Sequence, residues 1–277
     1  MKRVIKTFFL LVLADAALGE VQKRIYVDPA LPNLGGYATA NNGPIPGQNH
    51  GQHHVIVNRP ACSLAPHCGG SLIHADWVIT AAHCDCWFLR TVLNAHPDYA
   101  RRQIWKIAEK HYCCDNGREH DLMLLKLKNG QRGQLPTIQL PAQPCTAPGL
   151  DEEVRFYGWM DARLGPPDRN AQGQQKMEPF MAHGLRFGVS KVVNCHHGTQ
   201  NDCPPTLDSS YIPGRCVCAK FPGVATNKGD SGGSLVWNGK LYGVYKSGFR
   251  YLNQGPSRFK DVCYSLYRNW IKKIAQL

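Results

Sequence analysis

Trp77-Val78-Ile79-Thr80-Ala81-Ala82-His83-Cys84 is a short apolar run that stops abruptly at a histidine and a cysteine. Similar strand-like runs surround it. Val55-Ile56-Val57 and Ser71-Leu72-Ile73 precede it; Leu122 to Leu127, Val154 to Trp159, Leu235-Val236-Trp237 and Leu241 to Tyr245 follow, separated by turn-forming residues. Asn238-Gly239, between the last two, marks a tight hairpin. Many short strands with little helical patterning predict an all-β barrel or sandwich. The exception is the C-terminus, where Val262, Leu266, Trp270, Ile271 and Ile274 recur at helical spacing. The polar stretch from Asp161 to Asp208, with Pro166-Pro167, Gln172 to Gln175 and Cys203-Pro204-Pro205, is expected to hold long surface loops.

Upstream, Lys2 and Arg3 precede a largely apolar Thr7 to Ala17, and Ala17-Leu18-Gly19 offers small residues for cleavage. Residues 1–19 therefore read as a secretory signal, too short for a membrane span. Residues 20–24 (Glu20-Val21-Gln22-Lys23-Arg24) read as a short propeptide. Residues 25–53, rich in Gly, Pro and Asn, read as an extended arm without a core of its own. An exported chain with 12 cysteines favours disulfides over metal, and Cys84-Asp85-Cys86, Cys113-Cys114 and Cys216-Val217-Cys218 are too tight for zinc-binding arms. The formal net charge is +12, and residues 1–24 account for about three of those charges. Such a charge can attract acidic polysaccharide. The basic residues are scattered without a nucleic-acid motif, so nucleic acid is not an expected partner.

Three segments in order carry the chemistry: the His83 run, His120-Asp121-Leu122-Met123-Leu124-Leu125, and Gly229-Asp230-Ser231-Gly232-Gly233. Each alone has an ordinary reading, as a structural histidine, a turn aspartate and a glycine loop. Together they offer a base, a carboxylate to orient it and a nucleophile. A serine hydroxyl is a poor nucleophile at neutral pH, so a neighbouring imidazole has to take its proton and later return it to the leaving amine.

In these segments, and in Cys68-Gly69-Gly70-Ser71-Leu72-Ile73 and Tyr157-Gly158-Trp159, the chain resembles the trypsin/chymotrypsin family of serine endopeptidases over roughly residues 54–277. The resemblance implies two antiparallel six-stranded β-barrels, approximately 54–140 and 150–262, with the active site between them and a C-terminal helix. It implies a His83, Asp121, Ser231 triad, an oxyanion hole from the N–H groups of Gly229 and Ser231, and Asp230 as acceptor of a new N-terminus freed at Ile25. It further implies disulfides Cys68–Cys84, Cys145–Cys263 and Cys203–Cys218, leaving Cys62, Cys86, Cys113, Cys114, Cys195 and Cys216 unassigned. No metal or cofactor is implied.

The family pattern is broken at two places. Ile25-Tyr26-Val27-Asp28 lacks the usual Val-Gly-Gly continuation, which Leu34-Gly35-Gly36-Tyr37 resembles better, although Pro32-Asn33 before it offers no tryptic site. In the specificity pocket the resemblance puts Ala225 at the floor and Lys228 at the entrance, so the acidic floor that receives Lys and Arg is missing. In the wall segment Lys246-Ser247-Gly248, either Lys246 replaces the family's serine or Ser247 retains it. The expectation is a secreted, monomeric serine endopeptidase acting on polypeptides, open to protease inhibitors, and without trypsin-like preference. Apolar or small side chains fit the pocket best, with acidic ones still open. A catalytically inactive homologue that uses the scaffold for binding remains the alternative.

Overall fold

The computed structural model describes residues 35–37, 50–61, 67–115, 118–128, 135–167, 175–195, 215–220, 226, 229–248 and 255–277. The expected signal and propeptide, Ile25, Cys203, Ala225 and Lys228 lie outside them. A three-residue strand, β1 (Gly35–Tyr37), comes first. The first barrel follows, from β2 (His54–Asn58), β3 (His67–His74), β4 (Trp77–Thr80), β5 (Arg90–Leu93), β6 (Gln103–Asp115) and β7 (Arg118–Leu127). It closes in the order β2-β3-β4-β7-β6-β5, and β5 pairs back onto β2.

The apolar runs are continuous because both faces of these strands are buried, and their period of two sorts the side chains between two cores. Val55 and Val57, Val78, and Met123 with Leu125 fill the first barrel. Their neighbours Ile56, Trp77 with Ile79, and Leu122 with Leu124 point the other way, into a cluster shared with Tyr157, Trp159, Leu185, Phe187, Tyr267 and Ile271 of the second half. Burying each such side chain contributes about 1.5–3 kcal/mol, so these strands also fasten the two halves together.

The second barrel consists of β8 (Glu153–Pro167), β9 (Gln175–Val193), β10 (Cys216–Lys220), β11 (Ser234–Trp237), β12 (Lys240–Ser247) and β13 (Ser257–Asp261). Its order is β9-β10-β13-β12-β11-β8, closed by β8 on β9, and β1 adds to β9 at Gly35↔Gly188. Phe156, Tyr245 and Phe259 pack edge-on or tilted in its core. The C-terminal helix α1 (Ser265–Ala275) buries Tyr267, Arg268 and Ile271, and Arg268 donates to the Pro141 carbonyl between the barrels. The expected two-barrel architecture with a terminal helix is the one observed.

The structure departs from the sequence reading in two respects. Part of the stretch expected as loops is a ladder: β8 and β9 pair from Glu153↔Lys191 to Pro167↔Gln175. Strand pairing satisfies the backbone whatever the polarity of the side chains, so hydrophobic patterning missed it. The second correction concerns Cys218, which bonds Cys195 and not Cys203. The β9–β10 register sets Val193 opposite Cys218, which brings Cys195, just past the end of β9, to a Cα separation of 5.1 Å, within disulfide reach. Cys68–Cys84 and Cys145–Cys263 are bonded as expected, and Cys86 and Cys216 are also in disulfides.

Three buried histidines lie where the barrels meet. His53 shares a 3.0 Å hydrogen bond with Ser234 Oγ of the second barrel. Burial, reinforced by the other histidines, lowers His53 and His54 to about 3, and burial lowers His96 to about 4. Below about pH 6.5 the unfolded chain therefore binds protons that the fold refuses, and stability falls as pH drops toward 4. Urea midpoints should decline between pH 7 and pH 4, and His54→Gln should flatten that slope; an unchanged slope would remove His54 from the account.

Candidate active site

β4 ends at Thr80, whose Oγ1 donates to the Gly69 carbonyl at 2.7 Å. The chain then makes a single tight turn, Ala82–Cys84, tied back to β3 by the Cys68–Cys84 bond. Fully buried Ala81 and Ala82 leave the turn no side chain to accommodate, so His83 is carried out to the surface with its ring about one-third exposed. The β4–β7 register pairs Thr80 with Met123, which sets Asp121 beside the turn. Asp121 is 2% exposed and has φ +56°, a left-handed conformation that costs a non-glycine residue roughly 1–3 kcal/mol.

The side-chain geometry explains why that strain is tolerated. The main-chain N–H of His83 donates to Asp121 Oδ1 at 2.9 Å, and Nδ1 of the same residue lies 2.9 Å from Oδ1 and 3.0 Å from Oδ2. Burial works against the Asp121 charge. The His83 ring, its hydrogen bonds and the charge of Lys260 outweigh burial and hold the carboxyl below its ordinary 3.8.

The Gly229 to Gly233 segment leads into β11 and is held by both barrels. Gly69 N–H donates to the Ser231 carbonyl at 2.7 Å from the first barrel, and Gly232 N–H donates to the Tyr245 carbonyl at 2.8 Å within the second. Gly229 and Gly232 have φ of +98° and +82°. A Cβ on Gly232 would collide with the Gly69 carbonyl and Thr80 Oγ1, so the segment's close approach to β3 requires glycine there. Cys84 Sγ lies 3.6 Å from the Ser231 carbonyl oxygen, which sets the serine main chain against the residue next to His83. Asp230 is fully buried behind Gly158, where a Cβ would come within 2.5 Å of its Oδ1.

In the wall segment, Lys246 is buried, whereas Ser247 and Gly248 are half-buried. The β12–β13 register slips between Tyr245 and Ser247, so Lys246 sits in a bulge, and burial followed by the nearby Arg258 charge lowers its pKa against the opposing pull of Asp121. Gly248 packs against Thr226, whose Oγ1 is 2.5 Å from Ser257 Oγ. Sequence reasoning passed over Thr226, Ser257 and, above all, Lys260, which is wholly buried. In Ser257-Arg258-Phe259-Lys260-Asp261 the charges read as a solvated strand, and nothing local in the sequence says otherwise.

The family model for trypsin matches residues 46–271, most of the chain. The chain belongs to the trypsin family. It is thereby a serine endopeptidase, a hydrolase, by class. It is 27% identical over 236 residues to a factor V activator of Macrovipera lebetinus, covering 79% of this chain and 82% of the relative. It is 29% identical over 221 residues to kallikrein-14 of Homo sapiens, covering 74% and 73%. Among solved structures, human heparin binding protein shares the fold with a TM-score of 0.59 at 23% identity, covering 82% of this chain and 92% of that one. Neuropsin of mouse brain gives the same score and identity over 87% and 98%.

Because the folded carboxyl of Asp121 titrates below its ordinary value, its stabilising contribution is complete above about pH 4 and is lost as pH falls through the lowered value. Asp121→Asn should accordingly lower the urea midpoint at pH 7, and the gap from the parent chain should close as pH falls through the lowered Asp121 value. A gap that persists undiminished at low pH would show that the charge is not what stabilises the pair.

Proposed function

We propose that this chain, over residues 54–277, is a secreted monomeric endopeptidase that hydrolyses peptide bonds through Ser231, His83 and Asp121. The observation that carries the reading is the partly exposed His83 ring held at Nδ1 by a buried, ionised Asp121, which leaves Nε2 as the atom able to take a proton. Ser231 Oγ attacks the substrate carbonyl carbon as its proton passes to His83. The N–H groups of Gly229 and Ser231 receive the developing oxyanion, each donor contributing about 3 kcal/mol. The imidazolium then returns the proton to the leaving amine, and water releases the acyl group by the same route.

Cleavage after Arg24 would supply the Ile25 ammonium to Asp230. The Asp230 carboxyl is fully buried behind Gly158, at the position the family resemblance assigns to the acceptor of that ammonium. If Ala225 forms the pocket floor and Lys228 its entrance, as the family resemblance implies, cationic substrate side chains are disfavoured. The signal-like residues 1–19 support secretion, and the absence, among the described residues, of any helix long and apolar enough to cross a membrane is compatible with it. Protease inhibitors would take the substrate's place in the cleft. The net positive charge that remains once residues 1–24 are removed, and the fold shared with human heparin binding protein, support contact with acidic polysaccharide.

The test is labelling of the secreted protein by a fluorophosphonate. Label should appear on Ser231 and disappear in Ser231→Ala, with peptide hydrolysis falling roughly 10⁴-fold or more. A correctly processed chain that takes no label would favour the inactive binding homologue. In a peptide library, cleavage after Lys or Arg should not dominate; a tryptic profile would overturn the pocket assignment.

A further inference from the structure

Two buried lysines of the second barrel interact electrostatically with Asp121 of the first. Lys246 on β12 is 6% exposed, and Lys260 on β13 is fully buried. The strand register pairs Lys260 with Val244, two residues from Lys246. Lys260 Nζ lies 3.5 Å from Tyr267 Oη and 5.7 Å from that ring's centroid. Tyr267 Oη is in turn 3.0 Å from Nδ1 of His120, the residue before Asp121. A line of polar contacts thus runs from Lys260 through α1 to the peptide that carries Asp121.

The charges around this centre come from every element packed on it. β7 gives His120 and Asp121; β6 gives Cys113; β12 gives Lys246; β13 gives Lys260 with Arg258 and Asp261 beside it; α1 gives Tyr267; and the turn after β4 gives His83. Burial and then Lys246 oppose the Lys260 charge, which Asp121 and Cys113 favour, and the balance lowers Lys260 to about 7. Lys246 is lowered as well, chiefly by burial, with Asp121 again favouring its charge. Buried cations of this kind are expensive unless a carboxylate offsets them, and Asp121 is the carboxylate that both share.

Resting on the catalytic reading above, the geometry points to Lys246 and Lys260 as positioning residues that divide the charge of Asp121 with His83 and so set how readily His83 accepts the Ser231 proton. With both ammonium groups charged, an imidazolium forming on His83 meets two cations and one anion, and the proton transfer is disfavoured. When Lys260 releases its proton to solvent, Asp121 is left to support His83 with one competitor fewer. Activity should therefore rise with pH through two ionisations, that of the base and that of Lys260, where a lone histidine would give one.

Two measurements on the processed full chain test this. In the first, the pH profile of kcat/KM should rise more steeply than one ionisation allows. Lys260→Met should reduce it to a single ionisation and raise activity at pH 6 by about tenfold, the equivalent of one unit of coupling. Lys260→Arg, which keeps its charge at all working pH, should instead hold activity low up to pH 9. A parent profile with one ionisation, or Met and Arg variants that behave alike, would overturn the inference. In the second, lysines labelled at Cε with ¹³C are titrated by NMR in the parent chain and in Asp121→Asn. Loss of the carboxylate should move the Lys246 and Lys260 midpoints down by about one pH unit, whereas unmoved midpoints would overturn the coupling. The NMR arm needs no turnover. If fluorophosphonate fails to label Ser231, the catalytic reading falls, and the titration still decides whether the lysines answer to Asp121.

Discussion

The antiparallel register of β4 against β7 is the constraint on which the site depends. Val78↔Leu125 and Thr80↔Met123 fix where each strand ends, and so fix that the turn carrying His83 and the strained residue Asp121 arrive side by side. A slip of one residue would turn every side chain of β7 to its opposite face, sending Met123 and Leu125 out of the barrel and Leu122 and Leu124 into it. Hydrophobic sorting between two cores therefore specifies the geometry of the His83–Asp121 pair. The left-handed backbone at Asp121 is the local cost, offset by hydrogen bonds from the main chain and ring of His83.

Much of this was legible in the sequence because the residues concerned act locally or in contiguous runs. The apolar runs gave β2, β4, β7, β8, β11 and β12, the Asn238-Gly239 turn gave the hairpin between β11 and β12, and the helical spacing gave α1. The His83 and Ser231 segments were readable because glycines and alanines of defined order are needed to bring backbone close to backbone. The β8–β9 ladder was not readable, because a polar strand that satisfies its partner's backbone leaves no alternation to find. Cys195 as partner of Cys218 depended on the register of β9 against β10, and β9 is the strand that went unread, so the two misreadings have one cause. Lys260 was hidden for a different reason: a lysine in a strand reads as solvent-facing unless one knows what packs over it.

The interior of this molecule carries more ionisable groups than burial alone would favour. Between the barrels, histidines stay neutral because burial lowers them, and at His53 the hydrogen bond with Ser234 serves the uncharged ring. Around Asp121 the balance differs, since a carboxylate and two lysines partly offset one another and none needs to be fully neutralised by a single partner. The first arrangement joins the barrels with uncharged polar contacts; the second extends the electrostatics of the active site into the helix that closes the chain.

The hydrogen bond from Gly69 N–H to the Ser231 carbonyl ties the serine segment to the other barrel. By chain order Ser231 belongs to the second barrel, yet its main chain is pinned by a strand of the first, and Gly232 fits only where the two surfaces meet. The Ser231 segment is thus a gauge of docking between the halves. Shear that leaves each barrel intact would still displace Ser231, so this segment registers faulty assembly before either half has lost its own strands.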